Sequence, residues 1–160
     1  MLHEIKVAHS LYPANLTPAH QELHVFCDAS ADAIGHVIYL RSISSDNDVH
    51  VSLVSSGSRV APRSATSIPR LELCAAAETS KAATAMVTEL ETNPSKIYFH
   101  CDSKVVLGYL ANRECSFVKY IARCVHMTLQ HSSISDWCYV NTLENPANLS
   151  SRPTLPDALI

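Results

Sequence analysis

Residues 25–30 of the chain read VFCDAS, and this stretch decides the fold. The residues before it, ELH at 22–24, begin an alternation of polar and apolar side chains that is typical of a β-strand entering a core. The strand then delivers Asp28, although aspartate is depleted in strands and costly to bury without a partner. A turn after the strand would explain a single aspartate of this kind, because Asp and Ser are common turn residues.

A second stretch, KIYFHCDS at residues 96–103, repeats the pattern and favours a functional explanation. It is an apolar strand that ends in Asp102, and a helix-like segment follows it. If the two strands are parallel neighbours, about 4.8 Å apart, Asp28 and Asp102 lie side by side where open α/β sheets bind ligands. Two carboxylates at that separation repel unless a cation lies between them, and an all-oxygen site suits Mg²⁺ or Mn²⁺.

The rest of the chain alternates strands with helices after an initial run of three strands. This order, β-β-β-α-β-α-α-β-α, predicts an α/β fold with one mixed sheet flanked by helices. Pro69 marks the start of the first helix, and Glu72 would then lie in its first turn, where the helix dipole favours an acid without any catalytic role. The predicted strands cover residues 22–28, 33–41, 49–59, 96–102 and 136–142, and the predicted helices cover residues 69–91, 103–112, 117–131 and 147–152.

Length and composition fit one globular domain. The 160 residues are 47% hydrophobic and carry a net charge of −3, which excludes a disordered chain and a strongly basic nucleic-acid binder. Any contact with a polyanion must therefore come from a local patch. We expect no membrane association, because no stretch is long enough to span a bilayer and the N-terminus lacks the apolar run of a signal peptide. We interpret residues 1–20 as an extended lead-in, 21–153 as the domain and 154–160 as a C-terminal tail.

The cysteines and histidines are best explained by structural roles. No two of the six cysteines have C-x-x-C spacing, so we expect free thiols that serve as small core residues in a reducing compartment. Four of the nine histidines lie in strand patterns, where a structural role is favoured over a metal ligand: His24, His36, His50 and His100.

Five motifs follow one another along the chain: FCDAS at 26–30, SRVAP at 58–62, IPRLEL at 68–73, CDSKVVLGYL at 101–110 and ENPANLSSR at 144–152. Together they resemble the ribonuclease H domain of retroelement polyproteins, and the BEL/Pao class of LTR retrotransposons fits best. The resemblance implies a ribonuclease H-like fold whose five-stranded mixed sheet combines a three-strand antiparallel meander with parallel strands. It also implies an intracellular enzyme, in a cytoplasmic virus-like particle or the nucleus. That enzyme would cleave the RNA strand of RNA–DNA hybrids beside an adjoining reverse transcriptase domain.

The resemblance further implies a metal site. The family holds two divalent ions, Mg²⁺ or Mn²⁺, with four acids, and three of these correspond to Asp28, Glu72 and Asp102. The fourth position falls on Asn148, and we expect this amide to weaken the site. A hybrid is recognised through its shape and 2′-hydroxyls rather than its base edges. The candidate donors to it, each equally well explained as a solvated surface residue, are Ser30, Arg59, Arg63, Arg70, Ser103, Lys104 and Arg152.

Two other functions compete with this one. Asn148 favours a catalytically impaired or domesticated module that binds hybrid, RNA or protein partners without cutting, whereas the three intact acids oppose it. An integrase-like nuclease of the same superfold is opposed by the position of Glu72 between the two aspartates and by the Asn-Pro-Ala motif.

Overall fold

The computed structural model describes residues 11, 13, 16–63, 67–90, 93–112 and 116–152. In this part of the chain the elements follow the predicted order, while the tail predicted at 154–160 and most of the lead-in lie outside the described residues. The strands are β1 (Pro18–Ala29), β2 (Ala33–Ser44), β3 (Val49–Val60), β4 (Lys96–Cys101) and β5 (Trp137–Tyr139). The α-helices are α1 (Ile68–Glu89), α2 (Lys104–Ala111), α3 (Lys119–His131) and α4 (Asn148–Ser151), and two 3₁₀ helices cover Ile134–Asp136 and Thr142–Glu144.

The strands form one mixed sheet in the order β3-β2-β1-β4-β5. β1, β2 and β3 pair as an antiparallel meander, and β4 lies parallel to β1 on one side and to β5 on the other. The expected parallel neighbours are therefore confirmed, and Cys27 of β1 is paired with Cys101 of β4. β1 begins at Pro18, earlier than predicted, because its antiparallel pairing with β2 continues to that residue.

β5 is shorter than the sequence predicts, since it contains only Trp137–Tyr139 rather than residues 136–142. Local hydrogen bonds on both sides limit it. Asp136 accepts a bond from the backbone N–H of Ser133 and closes a 3₁₀ helix before the strand. Asn141 accepts a bond from the backbone N–H of Leu143 and begins a second 3₁₀ helix after it. Short polar side chains that hydrogen-bond to nearby backbone thus stabilise 3₁₀ helices where the sequence predicts the two ends of the strand.

The main core lies between the sheet and the helices α1 and α3. Leu23, Val25 and Cys27 alternate along β1 and are at most 2% exposed. Leu73 and Ala76 of α1 are fully buried in the same core. The period of two along the strand and the small side chains of the helix allow α1 to pack directly on β1 and β2.

The opposite face of the sheet carries aromatic and imidazole rings. Phe26 of β1 stacks on His100 of β4 with 4.4 Å between ring centroids, and His24 Nδ1 lies 3.1 Å from His100 Nε2. Burial, followed by the charge of His24, lowers the pKa of His100 to about 4, so this ring is neutral at physiological pH. His24 and His100 pack against each other, His100 also packs against Phe26, and the structural role of both histidines stays a prediction.

The described residues allow the cysteines and the lengths of the helices to be compared with the sequence predictions. The cysteines in the described residues are free thiols at positions 27, 74, 101, 124 and 138, and Cys115 lies outside the described part. Within that same part, no helix has the length and apolar character needed to cross a bilayer.

Gly35 of β2 is the point at which α4 approaches the sheet. A Cβ atom on Gly35 would lie 2.6 Å from the carbonyl carbon of Ser150 and 2.8 Å from its carbonyl oxygen. These are backbone atoms, so a change of rotamer cannot relieve the overlap. The position of α4 therefore depends on the absence of a side chain at residue 35.

We expect Gly35→Ala to lower the free energy of unfolding by about 1–3 kcal/mol, the usual cost of overpacking. The control is Gly108→Ala in α2, where an added Cβ has no neighbour within 4 Å. Alanine there should stabilise the helix by up to about 1 kcal/mol. Denaturant unfolding of both variants beside the wild type measures the two effects, and equal effects would contradict the close approach of α4 to β2.

Candidate active site

Asp28 lies at the end of β1, and Asp102 directly follows β4. Because these strands are parallel neighbours, the two aspartates lie at the same end of the sheet. The register aligns Cys27 with Cys101, and the strands are separated by roughly 4.8 Å. Asp28 is only 6% exposed, and Asp102 is partly buried. The structure thus brings together the two aspartates that the sequence predicts as neighbours.

The Asp28 carboxyl is held by Ser151 of α4. Ser151 Oγ donates a hydrogen bond to Asp28 Oδ2. Burial raises the pKa of Asp28 and the negative charge of Asp102 raises it further, whereas the Ser151 hydrogen bond and the positive charge of Arg152 lower it. The pKa remains above its ordinary value of 3.8, so the surroundings disfavour an unbalanced negative charge on Asp28.

Glu72 lies in the second turn of α1, which corrects the prediction that it lies in the first. The helix begins at Ile68 after the N-cap Ser67, and its first turn contains no acid. The helix dipole acts mainly within the first turn and therefore does not explain this glutamate. Ser103 Oγ donates a hydrogen bond of 2.6 Å to Glu72 Oε2. Burial raises the pKa of Glu72, and the charges of Asp102 and Asp28 raise it further.

The three acids share one electrostatic environment. The charges of Asp28 and Asp102 act on Glu72, and the charge of Asp102 acts on Asp28. Their oxygen-only donor set has the chemistry that Mg²⁺ and Mn²⁺ prefer. Among the described residues, no group of three Asp, Glu, His or Cys side chains is arranged to hold a metal ion as it stands. Asp28 and Glu72 are instead held by the hydroxyls of Ser151 and Ser103.

Asn148 is the first residue of α4, and its amide binds within the C-terminal segment. Nδ2 donates to the carbonyl oxygen of Thr142, and Oδ1 accepts a bond of 3.4 Å from the Arg152 guanidinium. A carboxylate at this position could accept the bond from Arg152 but could not donate to Thr142. The amide therefore has a structural use that an acid would lack.

The sequence assigns Arg59, Arg63 and Arg70 to one substrate loop, but Arg59 belongs to β3 and Arg70 to α1, so only Arg63 lies between these two elements. Arg59 forms an ion pair of 3.2 Å with Glu78, although its side chain is 72% exposed. Arg63 is exposed. The guanidinium carbon of Arg70 lies 6.0 Å from the centroid of the Tyr120 ring. Because Glu78 balances part of the charge of Arg59, the surface near these arginines is less positive than the sequence indicates.

The other predicted substrate residues divide between the surface and the interior. Lys104 and Arg152 are exposed, and the Lys104 ammonium lies 5.1 Å from the centroid of the Tyr139 ring. Ser30 accepts two backbone N–H bonds inside the β1–β2 turn. Ser103 is 6% exposed. The two serines therefore use their hydroxyls within the protein, whereas Lys104 and Arg152 remain accessible to a substrate.

Two residues of the C-terminal segment contact the site without being predicted from the sequence. Asn145 is 3% exposed, and its Nδ2 donates a 2.9 Å bond to the carbonyl oxygen of Cys27, directly before Asp28. Ser151 is fully buried and bonds to Asp28 itself. From the sequence, Asn-Pro at 145–146 indicates only the start of a helical turn. Spacing along the chain cannot show that this segment contacts a strand more than a hundred residues earlier.

The order of elements and the order of strands define a ribonuclease H-like fold. The N-terminal RNase H domain of a Mycobacterium tuberculosis protein, solved as a fusion with maltose-binding protein, has a TM-score of 0.55 and 11% identity over 81% of this chain and 90% of that chain. RNase H1 from the halophilic archaeon Halobacterium salinarum has a TM-score of 0.51 and 14% identity over 82% of this chain and 94% of that chain. At these identities the likeness establishes the fold alone.

Residues 3–103 match the family model of the Pao retrotransposon-like RNaseH-like domain. The chain therefore belongs to this family, which confirms the resemblance carried by its motifs. The matched segment includes Asp28, Glu72 and Asp102 and ends before Asn148. No curated protein matches the sequence.

The raised pKa of Glu72 predicts a pH-dependent effect of Glu72→Gln on the metal-free protein. Glutamine keeps an acceptor for the Ser103 hydroxyl but removes the charge. Because the folded-state pKa lies above the ordinary value of 4.5, ionisation of Glu72 destabilises the folded state as the pH rises above that value. We therefore expect the Tm of Glu72→Gln to increase relative to that of the wild type between acid and neutral pH. The increase should be about 2–4 °C for each kcal/mol by which the free energy of unfolding of the variant exceeds that of the wild type.

Thermal unfolding in a metal chelator at acid, mildly acid and neutral pH measures this difference. Glu89→Gln is the control, because Glu89 lies exposed on the same helix. A difference in Tm between Glu72→Gln and the wild type that does not depend on pH would contradict the assignment of Glu72 to the acid cluster.

Proposed function

We propose that this chain hydrolyses the RNA strand of RNA–DNA hybrids during reverse transcription, in a metal-dependent endonuclease reaction. The clustering of Asp28, Glu72 and Asp102 at one end of the sheet supports this most directly, because adjacent carboxylates repel unless a cation lies between them. Family membership supplies the retrotransposon context, in which an adjoining reverse transcriptase domain would produce the hybrid. The reaction would take place inside the cell, in a cytoplasmic virus-like particle or in the nucleus.

The proposed roles of the residues follow from their positions. Two Mg²⁺ or Mn²⁺ ions, when bound, would neutralise the phosphate, activate water and stabilise the departing 3′ oxygen. Asp28, Glu72 and Asp102 would hold these ions through their carboxylate oxygens. Asn148 would contribute its Oδ1, which is a weaker ligand than a carboxylate.

Positioning of the hybrid would fall to exposed cations beside the acids. Lys104 and Arg152 are exposed and lie in the same segments as Asp102 and Ser151. Contacts of this kind position the phosphate backbone, while the shape of the hybrid and its 2′-hydroxyls identify the RNA strand.

A module that binds hybrid, RNA or a protein partner without cutting is the second candidate. One observation favours it: the Asn148 amide is bonded to Thr142 and Arg152 within the C-terminal segment. A cleavage assay on labelled hybrid, beside single-stranded RNA and duplex DNA, separates the two candidates, and Asp28→Asn serves as the inactive control. Binding without cleavage by the wild type in Mg²⁺ and in Mn²⁺ would favour the non-cutting module.

Asn148→Asp tests the fourth position of the metal site in the same assay. We expect the variant to cleave at least about tenfold faster in Mg²⁺, which requires about 1.4 kcal/mol of transition-state stabilisation. The lost bond to Thr142 should lower the free energy of unfolding by about 1 kcal/mol. Rates of both proteins across a Mg²⁺ titration, with thermal melts, measure the two effects. Equal rates at every Mg²⁺ concentration would show that residue 148 is not a ligand.

Hybrid binding should depend on the local charge of the arginines from the end of β3 to the start of α1, because the chain as a whole carries a net charge of −3. We expect the combined change of Arg59, Arg63 and Arg70 to alanine to weaken binding. We also expect a shallow dependence of affinity on salt, since few phosphates are neutralised. Glu78→Gln should act in the opposite direction, because it frees Arg59 from its ion pair. Fluorescence anisotropy at several salt concentrations measures both variants, and unchanged affinity in the triple variant would exclude these arginines from the binding surface.

A further inference from the structure

We propose that Ser151 is a positioning residue that holds the Asp28 carboxylate ready for a divalent cation. The proposal rests on the proposed function and concerns the same site. α4 would then contribute to the metal site through Ser151, whether or not Asn148 is a ligand. Ser151 would act through Asp28 rather than touch the substrate.

The hydrogen bonding of Ser151 directs its single proton to Asp28. Ser151 is fully buried, so its hydroxyl has no access to water. Two acceptors are near its Oγ, namely Asp28 Oδ2 and, at 3.2 Å, the carbonyl oxygen of Asn148. One hydroxyl has one proton, and an ionised carboxylate is the stronger acceptor. The bond to Asp28 is therefore the dominant one.

The C-terminal segment that contains α4 is fixed to the end of β1 by contacts on both sides of Asp28. Asn145 Nδ2 donates to the carbonyl oxygen of Cys27 at 2.9 Å, and Ser30 Oγ donates to the carbonyl oxygen of Ser151 at 2.6 Å. Gly35 lets the backbone of α4 lie directly on β2. The Ser151 hydroxyl is thus attached to the same strand whose carboxylate it holds.

The same arrangement occurs at Glu72 with a residue from another element. Ser103 Oγ accepts the backbone N–H of Val106 at 3.3 Å as the N-cap of α2. Its own proton is then free to bond to Glu72 Oε2, at 2.6 Å. Two of the three acids are therefore each held by a buried serine that comes from a different element.

These bonds leave room for a cation. An ionised carboxylate has about four lone-pair positions, so Asp28, which accepts from Ser151 and from the backbone N–H of Ala29, keeps about two of them available. The bond also restricts rotation of the carboxyl, which would otherwise turn away from the neighbouring negative charges. Partners that orient metal-binding carboxylates in this way typically contribute about 10–100-fold to metal affinity or activity.

The test compares Ser151→Ala with the wild type and with Ser150→Ala, a neighbouring serine of α4. Calorimetric titration of the metal-free chain with Mg²⁺ and with Mn²⁺ gives the affinity without any need for activity. We expect Ser151→Ala to bind the metal about 10–100-fold more weakly. At a metal concentration below saturation its cleavage rate should fall by a similar factor. Ser150→Ala should match the wild type in both measurements.

A second pair of variants keeps the proposal testable if Ser151→Ala does not fold. Ser151→Thr and Ser151→Val have nearly the same shape, but only threonine retains the hydroxyl. Threonine should preserve metal affinity and valine should lose it, and Ser103→Ala provides the corresponding measurement at Glu72.

The outcomes distinguish this proposal from the proposed function. A wild-type chain that neither binds the metals nor cuts hybrid would overturn both. A wild-type chain that binds and cuts, together with Ser151→Ala of unchanged metal affinity, would overturn the role of Ser151 alone. Equal affinities of the Thr and Val variants would do the same.

Discussion

Parallel pairing between β1 and β4 aligns Cys27 with Cys101, and each strand thereby delivers an aspartate to the same edge of the sheet. A tight turn cannot join parallel strands, so the chain must make a long connection between them. That connection contains α1, which brings Glu72 to the same edge. The pairing of β1 with β4 therefore places Asp28 and Asp102 side by side, and the connection between the two strands adds Glu72.

Such a concentration of carboxyls works against stability. The pKa values of Asp28 and Glu72 are raised because both groups are buried and because each experiences other negative charges. Hydroxyl donors offset part of this cost, and they come from α4 and from the start of α2. Clusters of this kind, which oppose folding, are typical of functional sites.

The sequence predicts those features that depend on residues close together in the chain, and it does not predict contacts between distant elements. Asp28 and Asp102 could be paired from the sequence because strand periodicity and the order of elements are local patterns. The sequence predicts that α1 starts at Pro69, one residue after the actual start at Ile68, and for this reason it predicts Glu72 in the first turn rather than the second. The pairing of Arg59 with Glu78 depends on how β3 lies against α1, which no pattern within either element contains.

The contacts around Asp28 also join residues that are far apart in sequence. Ser151 and Asp28 are separated by 123 positions, and Asn145 and Cys27 by 118. Contacts of such long range cost more chain entropy to close than local contacts do. During translation, the sheet and the first three helices are synthesised before the segment that holds Asp28. The ribosome must pass the last motif before this carboxylate acquires its partner, so the direction of synthesis itself delays completion of the acid site.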